Sequence, residues 1–270
     1  MKIGSWDSDS GKTFVIAECG VNHNGIMDIA LQLIVAARDA GADAVKFQWF
    51  NTDALIARRG QGAAFLRDYE LWAMGYERLK AEAERNRLTF LCSVFDLASA
   101  EAYLALDPAA VKIGSGELRE WALLKRVAGH PVILSTGMAD MRDVSLALSA
   151  LRVEDLNIAL LHCVSAYPTP EDQVNLRALD ALKAYTLPVG YSDHTIGVTA
   201  ALCAVARGAV IIEKHLTLDC GLPGPDHKAS ANPRTFADMV CRIRDVEELL
   251  GDGVKRVMSC EAATMKAVGR

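Results

Sequence analysis

The chain lacks the features of a secreted or membrane-bound protein. No apolar run in its 270 residues approaches the roughly 20 residues that a membrane-spanning helix needs. The N-terminal segment contains no signal-peptide core. No CxxC pair occurs, and the seven cysteines are odd in number and scattered, so we expect reduced, mostly buried thiols in a cytoplasmic protein. We identify no catalytic cysteine.

The chain also lacks an excess of positive charge, and its sequence shows no domain boundary. The net charge is −5 and the pI is about 5.7, which argues against a general nucleic-acid-binding protein. No linker, low-complexity tract or block of like charges divides the chain. We therefore expect one domain over residues 1–270, with its barrel proper at about 13–253 and a tail at 254–270 that could form one more helix.

Hydrophobic residues make up 51% of the chain, as expected for a parallel sheet that is covered by helices on both faces. Their spacing predicts strands at 13–19, 43–48, 89–95, 110–114, 132–136, 156–163, 187–191 and 209–212. It predicts helices at 26–40, 97–106, 118–128, 141–151, 176–185, 198–207 and 235–250, with a longer, partly helical connection up to residue 87. Gly41 and Gly208 end helices just before strands, as C-cap glycines do. About eight strand–helix units favour an α/β fold of the closed (β/α)8 TIM-barrel type over an open sheet.

Alternation along barrel strands predicts which side chains face the interior. Three strands would point apolar residues outward: Val45, Phe47, Val111, Ile113, Val210 and Ile212. The same strands would collect polar residues inside, near the C-terminal rim: Lys46, Gln48, Lys112, Glu213 and His215. Because unpaired buried charges are costly, either the lysines pair with Glu18 or Glu213, or they line a pocket for an anion. We favour the pocket, where each lysine within ~4 Å of an anion contributes on the order of 4 kcal/mol of gross Coulomb energy.

Two histidines, His194 and His215, close neighbouring predicted strands. Two imidazoles at adjacent strand tips could hold one metal ion over the end of the sheet; two unrelated loop residues are the alternative. Of the remaining histidines, His162 fits a hydrogen-bonded core residue and His130 a loop at the opposite end, whereas contacts of His23 and His227 with substrate stay open. Arg58 and Arg59 are expected on a solvated face, with an anion-facing loop as the alternative.

Several short motifs follow one another at the predicted strand tips. They are IAECGVNHNG at 16–25, AVKFQ at 44–48, KIGSGE at 112–117, LSTGM at 134–138, HC at 162–163, YPTP at 167–170, SDHT at 192–195, EKH at 213–215 and PGPDH at 223–227. In this order they resemble the sialic acid synthase family, meaning N-acetylneuraminate synthase and its legionaminate, pseudaminate and spore-coat relatives. The resemblance runs from about residue 13 to residue 253 and covers the catalytic barrel only. Family members usually continue into a small antifreeze-protein-like domain, which is expected to be lacking here.

The resemblance implies a barrel that condenses phosphoenolpyruvate with an N-acetylmannosamine-like aldehyde sugar, giving a nine-carbon 2-keto-3-deoxy acid and phosphate. It implies that His194 and His215 hold a divalent cation, Mn²⁺ or Mg²⁺, which polarises the aldehyde carbonyl. The positions that match donor-binding residues are Lys46, Lys112, Ser93, Ser115, Ser135 and Ser192. Glu117 is the candidate for handling the attacking water, and Glu18 for orienting metal-bound water and sugar hydroxyls. The candidates for sugar contacts are Gln48, Tyr167 and Asp226.

One departure lies beside the YPTP motif, where Ser165 stands at a position that binds phosphate through an asparagine in some relatives. Backbone N–H groups of the turn at 114–116 suit an anion without any family argument. Because the acceptor is the least secure part of the prediction, two alternatives stay open. The same donor could be joined to a different aldehyde, or the barrel could bind a phosphorylated ligand without turnover beside a full-length synthase. We expect small-molecule substrates and no nucleic-acid or membrane partner, and the resemblance allows a homodimer.

Overall fold

A closed barrel of eight parallel strands dominates the computed structural model, which describes residues 1–152 and 157–269. Two short antiparallel strands precede it, β1 (Lys2–Ile3) and β2 (Trp6–Asp7). The barrel strands are β3 (Phe14–Gly20), β4 (Ala44–Trp49), β5 (Thr89–Val94), β6 (Val111–Ile113), β7 (Val132–Ser135), β8 (Ile158–Cys163), β9 (Val189–Asp193) and β10 (Ile211–His215). Each strand pairs with the next in the chain, and β10 pairs with β3 to close the cylinder. The predicted (β/α)8 fold is confirmed.

Helices connect the strands on the outside of the barrel. They are α1 (Met27–Asp39), α2 (Thr52–Arg59), α3 (Ala73–Arg85), α4 (Leu97–Leu104), α5 (Trp121–Val127), α6 (Met141–Ala150), α7 (Ala178–Leu182), α8 (Thr199–Ala206), α9 (Pro233–Leu250) and α10 (Ala262–Ala267). The predicted helical connection before residue 87 contains α2, a 3₁₀ helix at Gln61–Tyr69 and α3. The predicted helix at 254–270 is confirmed only for its end, in Ser259–Glu261 and α10. Residue 270, and residue 156 at the start of the sixth predicted strand, lie outside the described residues.

Capping residues set several of the helix ends. Side chains of Asp96, Asp140 and Asn232 accept hydrogen bonds from the first turns of α4, α6 and α9, which satisfies N–H groups that the helix itself leaves unpaired. Gly41 and Gly208 follow α1 and α8 with φ of 78° and 89°. This left-handed backbone is favourable for glycine, so the predicted helix stops are confirmed.

Apolar side chains fill the space between the sheet and the helices and also the lower barrel interior. Val45, Phe47, Val111, Ile113 and Ile212 belong to the layer under the helices, as alternation predicts. The interior cluster contains Ile3, Phe14, Ile16, Ala44, Leu91, Ala110, Ile133, Ala159, Leu161 and Ile211. The outward assignment of Val210 is wrong, because it precedes β10 and packs against this interior cluster. Since Ile3 belongs to that cluster and Trp6 packs against it, the β1–β2 pair covers the N-terminal end of the barrel interior.

The predicted C-terminal ends of β9 and β10, at 191 and 212, are wrong. β9 continues to Asp193 and β10 to His215. The polar residues beyond the predicted ends are buried and paired across the two strands, Ser192 with Glu213 and Asp193 with Lys214. The change from apolar to polar residues therefore does not mark the end of either strand.

Cysteine exposure differs from the expectation of mostly buried thiols. Cys19, Cys92 and Cys163 are buried, but Cys203, Cys241 and Cys260 are exposed. The first two exposed thiols lie in α8 and α9 on surfaces away from the barrel, and the third lies in the tail. Within residues 1–152 and 157–269, no helix combines the length and the apolar character that crossing a membrane requires.

Candidate active site

A cavity of about 420 Å³ opens at the C-terminal ends of the barrel strands. All predicted site residues line it: Glu18, Lys46, Gln48, Ser93, Lys112, Ser115, Glu117, Ser135, Ser165, Tyr167, Ser192, His194, His215 and Asp226. Strand ends and the loops after them place these side chains, as in other barrels of this type. Residues that are far apart in sequence therefore form one site.

Lys46 lies at the centre of a buried charge network. Its ammonium contacts the carboxylate of Glu18 on β3, donates to Ser93 Oγ on β5 at 2.7 Å and lies 3.6 Å from Glu213 on β10. Burial opposes the charge, but the two carboxylates outweigh burial and raise the pKa of Lys46 above its usual value. The predicted internal ion pairs are therefore present, and Lys46 stays cationic.

Lys112 is less well neutralised than Lys46. Its Nζ donates to Ser135 Oγ at 2.7 Å and to the carbonyl of Ile113 at 3.3 Å, and Glu213 lies 3.7 Å away. Burial, joined by the positive charge of Lys46, outweighs that carboxylate and lowers the pKa of Lys112. Because Lys112 faces the cavity with incomplete compensation, an anionic ligand would stabilise its charge.

Glu213 links the two lysines and belongs to the site, although it was predicted only as an internal ion-pair partner. Its Oε1 accepts a hydrogen bond from Ser192 at 2.9 Å. Burial alone would raise the pKa of Glu213, but Lys112, Lys46 and the Ser192 hydroxyl lower it to about 2. The carboxylate is therefore ionised at neutral pH. Its position on β10, two residues before His215, is the sequence signal for this role.

His194 and His215 face each other across the rim, with ring centroids 5.6 Å apart. His194 Nδ1 lies 2.8 Å from the carbonyl oxygen of Val164. Because a carbonyl only accepts, Nδ1 carries the proton and Nε2 keeps its lone pair. Burial and the proximity of His215 lower the pKa of His194 to about 4. His194 is therefore a neutral imidazole, the form that binds metals.

His215 has an unsatisfied nitrogen. Its Nδ1 is buried without a hydrogen-bond partner and lies 3.7 Å from Asp226 Oδ2. An orphaned imidazole nitrogen that lies beside a carboxylate and the neutral imidazole of His194 fits a divalent cation. In the described part of the chain, no cluster of three or more His, Cys, Asp or Glu side chains is arranged to hold a metal. Two imidazoles with a carboxylate nearby would leave coordination positions for water or substrate.

The wall beside the histidines combines an aromatic ring with polar groups. The ring centroid of Tyr167 lies 4.2 Å from that of His194 and 5.9 Å from that of His215. Tyr167 is 50% exposed, and Gln48 Nε2 donates to Glu18 Oε1 at 3.1 Å. Such a surface offers a face for stacking and several groups for hydroxyls.

Glu117 is held by two arginines that the sequence suggested for a solvated face. The carboxylate of Glu117 is buried, accepts from Arg58 at 3.0 Å and also contacts Arg59. Arg58 donates to the carbonyl of Phe95 as well, and Arg59 lines the cavity. Both arginines are exposed, as predicted, but their guanidinium groups reach Glu117 at the barrel mouth, as the alternative of an anion-facing segment expected. Burial and the neighbouring Arg58 lower the pKa of Arg59.

The turn at 114–116 lines the cavity and contacts residues at the C-terminal ends of β7 and β8. Ser115 Oγ accepts from the Gly137 N–H at 3.0 Å and lies 3.0 Å from Cys163 Sγ. A Cβ on Gly137 would lie 2.5 Å from Ser165 Oγ and 2.7 Å from Cys163 Sγ, so a side chain there would force these groups to shift. The predicted helix at 118–128 starts only at Trp121, and Ser115–Glu117 forms a separate 3₁₀ turn.

The other histidines do not line the cavity in the residues described. His162 Nε2 bonds the carbonyl of Val174 at 2.8 Å, which confirms a satisfied core histidine. His23 and His227 are buried and hydrogen-bonded within the protein, to Gly25 and to Thr217. A direct substrate contact by either is therefore not supported. His130 lies in an exposed turn before β7, as predicted.

Comparisons with known proteins identify the family and agree with the barrel fold. A family model described as the NeuB family matches residues 33–255. The N,N'-diacetyllegionaminic acid synthase of Campylobacter jejuni is 39% identical over 95% of this chain and 83% of its own length. The N-acetylneuraminate-9-phosphate synthase of Homo sapiens is 33% identical over 99% and 79%. The crystal structure of an N-acetylneuraminic acid synthetase from Leptospira borgpetersenii superposes with a TM-score of 0.92 at 32% identity, covering 100% of this chain and 96% of that one.

Proposed function

The chain belongs to the NeuB family and is an acid synthase, and we propose that it joins phosphoenolpyruvate to an N-acetylmannosamine-like aldehyde sugar in a metal-dependent condensation. The products would be a 2-keto-3-deoxy nonulosonic acid and phosphate. One observation carries the proposal: an undercompensated ammonium, Lys112, and two imidazoles, His194 and His215, face one cavity.

The lysine side of the cavity suits the donor. Phosphoenolpyruvate carries a carboxylate and a phosphate, and Lys46 and Lys112 present two ammonium groups on strands separated by only one other. Ser93 and Ser135 already accept from these lysines, so their hydroxyl protons remain free to donate to an anion. Ser115, Ser165 and Ser192 add further hydroxyls around the same space. Burial strengthens each of these interactions relative to water.

The histidine side suits a divalent cation, Mn²⁺ or Mg²⁺, held by His194 and His215 with Asp226 nearby. When bound, the cation acts as a Lewis acid on the aldehyde carbonyl. The hydrogen bond from His194 Nδ1 to Val164 fixes the tautomer that leaves Nε2 for this purpose. Imidazole and carboxylate ligands bind several divalent ions, so assays with each metal are needed to distinguish Mn²⁺ from Mg²⁺.

The acceptor would lie between Tyr167 and the Glu18–Gln48 pair. Glu18 and Gln48 are joined at 3.1 Å, which fixes both groups for hydrogen bonds to sugar hydroxyls. Asp226 and the Tyr167 ring complete this wall. In the reaction, C3 of phosphoenolpyruvate forms the new bond to the aldehyde carbon, whose oxygen gains a proton. Water then adds to C2, and the C–O bond to phosphate breaks.

Glu117 is placed to handle that water. Because Arg58 and Arg59 both contact its carboxylate, Glu117 is held in one orientation above the turn at 114–116. An ionised carboxylate accepts hydrogen bonds and can take the proton that water loses on attack at C2.

Location in the cytoplasm, and assembly as a homodimer, remain part of this proposal.

A product assay tests the proposal. Purified protein would be incubated with phosphoenolpyruvate and Mn²⁺ and with a panel of aldehydes that includes N-acetylmannosamine, its 6-phosphate, diacetamido hexoses and non-amino aldoses. We expect phosphate and a 2-keto acid in equal amounts with an N-acetylated amino sugar, and ¹⁸O from water in the keto acid. Phosphate release with a non-amino sugar alone would overturn the sialic-type acceptor. Binding of phosphoenolpyruvate without product from any aldehyde would instead indicate a non-catalytic barrel.

A further inference from the structure

A buried ion pair lies directly behind the two histidines, on the helix-covered side of the barrel wall. Asp193 ends β9, and Lys214 is its register partner on β10. Lys214 Nζ lies 2.7 Å from Asp193 Oδ2, and the side chains are 1% and 0% exposed. Neither residue is among those that line the cavity. The pair does not reach the substrates, and it has no part in the chemistry proposed above.

One further hydrogen bond of this pair comes from the Tyr191 hydroxyl to Asp193 Oδ1 at 3.3 Å, and the others tie down the backbone around His194. Lys214 Nζ also donates to the carbonyl of Thr195 at 2.8 Å. Asp193 Oδ1 accepts from the Thr195 N–H at 2.9 Å and from its hydroxyl at 2.8 Å. Both sequence neighbours of His194 are thus fixed to Lys214, which immediately precedes His215.

A matching contact lies on the cavity side of the same two strands. Ser192 donates to Glu213, its register partner, at 2.9 Å. The end of the β9–β10 ladder is therefore cross-linked on both faces, by Asp193–Lys214 one residue before each histidine and by Ser192–Glu213 two residues before. Because His194 and His215 extend from this end, the ladder sets the separation of their rings.

Fold stability alone gives little reason to keep an ion pair at this position. A buried ion pair can often be replaced by apolar side chains of similar volume without loss of stability. Neighbouring side chains on the same face, such as Tyr191 and Ile212, are members of the apolar layer under the helices. What the ion pair adds is a fixed register and a fixed direction for each strand end, the best-attested use of such pairs.

We propose that Asp193 and Lys214 form a clamp that positions His194 and His215 for a divalent cation. The inference rests on the proposed function, since it takes both histidines as ligands. Two imidazole lone pairs must converge on one ion, and groups that orient metal ligands typically change metal affinity 10–100-fold when they are lost. Asp193 and Lys214 are thus positioning residues, not catalytic ones.

The test is a double variant, Asp193→Leu/Lys214→Met, which removes both charges and leaves neither one buried alone. Mn²⁺ binding to the substrate-free protein would be measured by electron paramagnetic resonance of the free ion and by calorimetry. We expect the dissociation constant for Mn²⁺ to rise 10–100-fold while the thermal unfolding midpoint stays close to that of the native chain. Phosphoenolpyruvate binding without metal should change by no more than about twofold, because Lys46 and Lys112 lie on other strands.

The control removes a partly exposed ion pair at the opposite end of the barrel. Asp43 precedes β4 and lies 2.9 Å from Arg244 of α9. The variant Asp43→Asn/Arg244→Met should leave the affinity for Mn²⁺ unchanged. If the clamp variant does not fold, Thr195→Val takes its place, because it removes only the hydroxyl bond to Asp193. That variant should weaken Mn²⁺ binding by at least about threefold.

Each outcome decides a different point. A folded clamp variant, or a folded Thr195→Val protein in its place, with native affinity for Mn²⁺ would overturn the clamp alone. A native chain that binds Mn²⁺ no better than His194→Ala/His215→Ala would overturn the metal assignment in the proposed function, and the clamp with it. Weaker Mn²⁺ binding that is accompanied by the same loss in the Asp43→Asn/Arg244→Met control would show a general effect of ion pairs and would also refute the clamp.

Discussion

Replacing Lys112 and Lys46 in turn separates ligand binding from fold stability at this site. The variants are Lys112→Met and Lys46→Met, which keep the length of the side chain and remove its charge. Lys112 is bonded to Ser135 and Ile113 and lies 3.7 Å from its nearest carboxylate, Glu213. Lys46 contacts Glu18 directly and also pairs with Glu213. The two lysines look equivalent in sequence but differ in what they neutralise.

The expected magnitudes follow from these contacts. Breaking a buried ion pair by removing one partner costs about 3–5 kcal/mol, because a charge is left uncompensated. Lys46→Met would do this to Glu18 and should lower the free energy of unfolding by that amount. Lys112→Met leaves Glu213 with Lys46 and Ser192, so we expect a change in stability of less than about 1 kcal/mol.

For the donor the expectation is different. A hydrogen bond to a charged partner contributes about 1.5–3 kcal/mol net, far below the gross Coulomb term, so losing Lys112 should weaken phosphoenolpyruvate binding about 10–150-fold. Urea unfolding gives the stability of each variant, and calorimetric titration gives its affinity for phosphoenolpyruvate. Equal destabilisation by the two variants would refute the reasoning from charge compensation. Native affinity in Lys112→Met would refute the placement of the donor.

Three further outcomes are expected. Lys112 attracts the donor only while it is cationic, and burial lowers its pKa below the usual lysine value. The affinity for phosphoenolpyruvate should therefore fall as the pH rises through that pKa, which titration calorimetry against pH would show, and Lys112→Met should remove this fall. His215→Ala should abolish turnover and leave the circular dichroism spectrum unchanged, because the side chain lies at the rim; near-native kcat with excess Mn²⁺ would contradict its role as a ligand. Gly137→Ala should raise KM for phosphoenolpyruvate at least about tenfold, since the new methyl group would meet Ser165 and Cys163; unchanged steady-state kinetics would mean that this turn does not bound the donor.

Much of this site could be predicted from the alternation of inward-facing and outward-facing side chains along the strands. Lys46 and Lys112 alternate with outward apolar residues, so their inward direction follows from the sequence. The sequence also predicts that His194 and His215 lie at strand tips, although it does not predict the residues at which these two strands end. Ser192 and Lys214 are polar, and a sequence shows polarity but not the partner that makes burial of a polar group acceptable.

Residues from connections were harder to predict. Arg58 and Arg59 lie on α2, whose short sequence reads as an exposed helix, and only the folding of the connection over the barrel mouth brings them to Glu117. Their partner is almost 60 residues away along the chain, so no local pattern joins them. For His23 and His227 the sequence suggested too much. Their position on loops near the site left contact with substrate open, but both side chains are hydrogen-bonded within the protein.

The balance of charge in the cavity connects the two halves of the proposed chemistry. Its lining contains Lys46, Lys112 and Arg59 as cations against Glu18, Glu117, Glu213 and Asp226 as anions. The donor brings a carboxylate and a phosphate into a space that already holds more carboxylates than cations, so a divalent cation at His194 and His215 would reduce the repulsion. If one bound ligand makes the free energy of binding of the other more favourable, the second does the same for the first by an equal amount. Mn²⁺ and phosphoenolpyruvate should therefore each tighten the binding of the other, and calorimetric titrations of either ligand in the presence and absence of the other should give the same coupling factor.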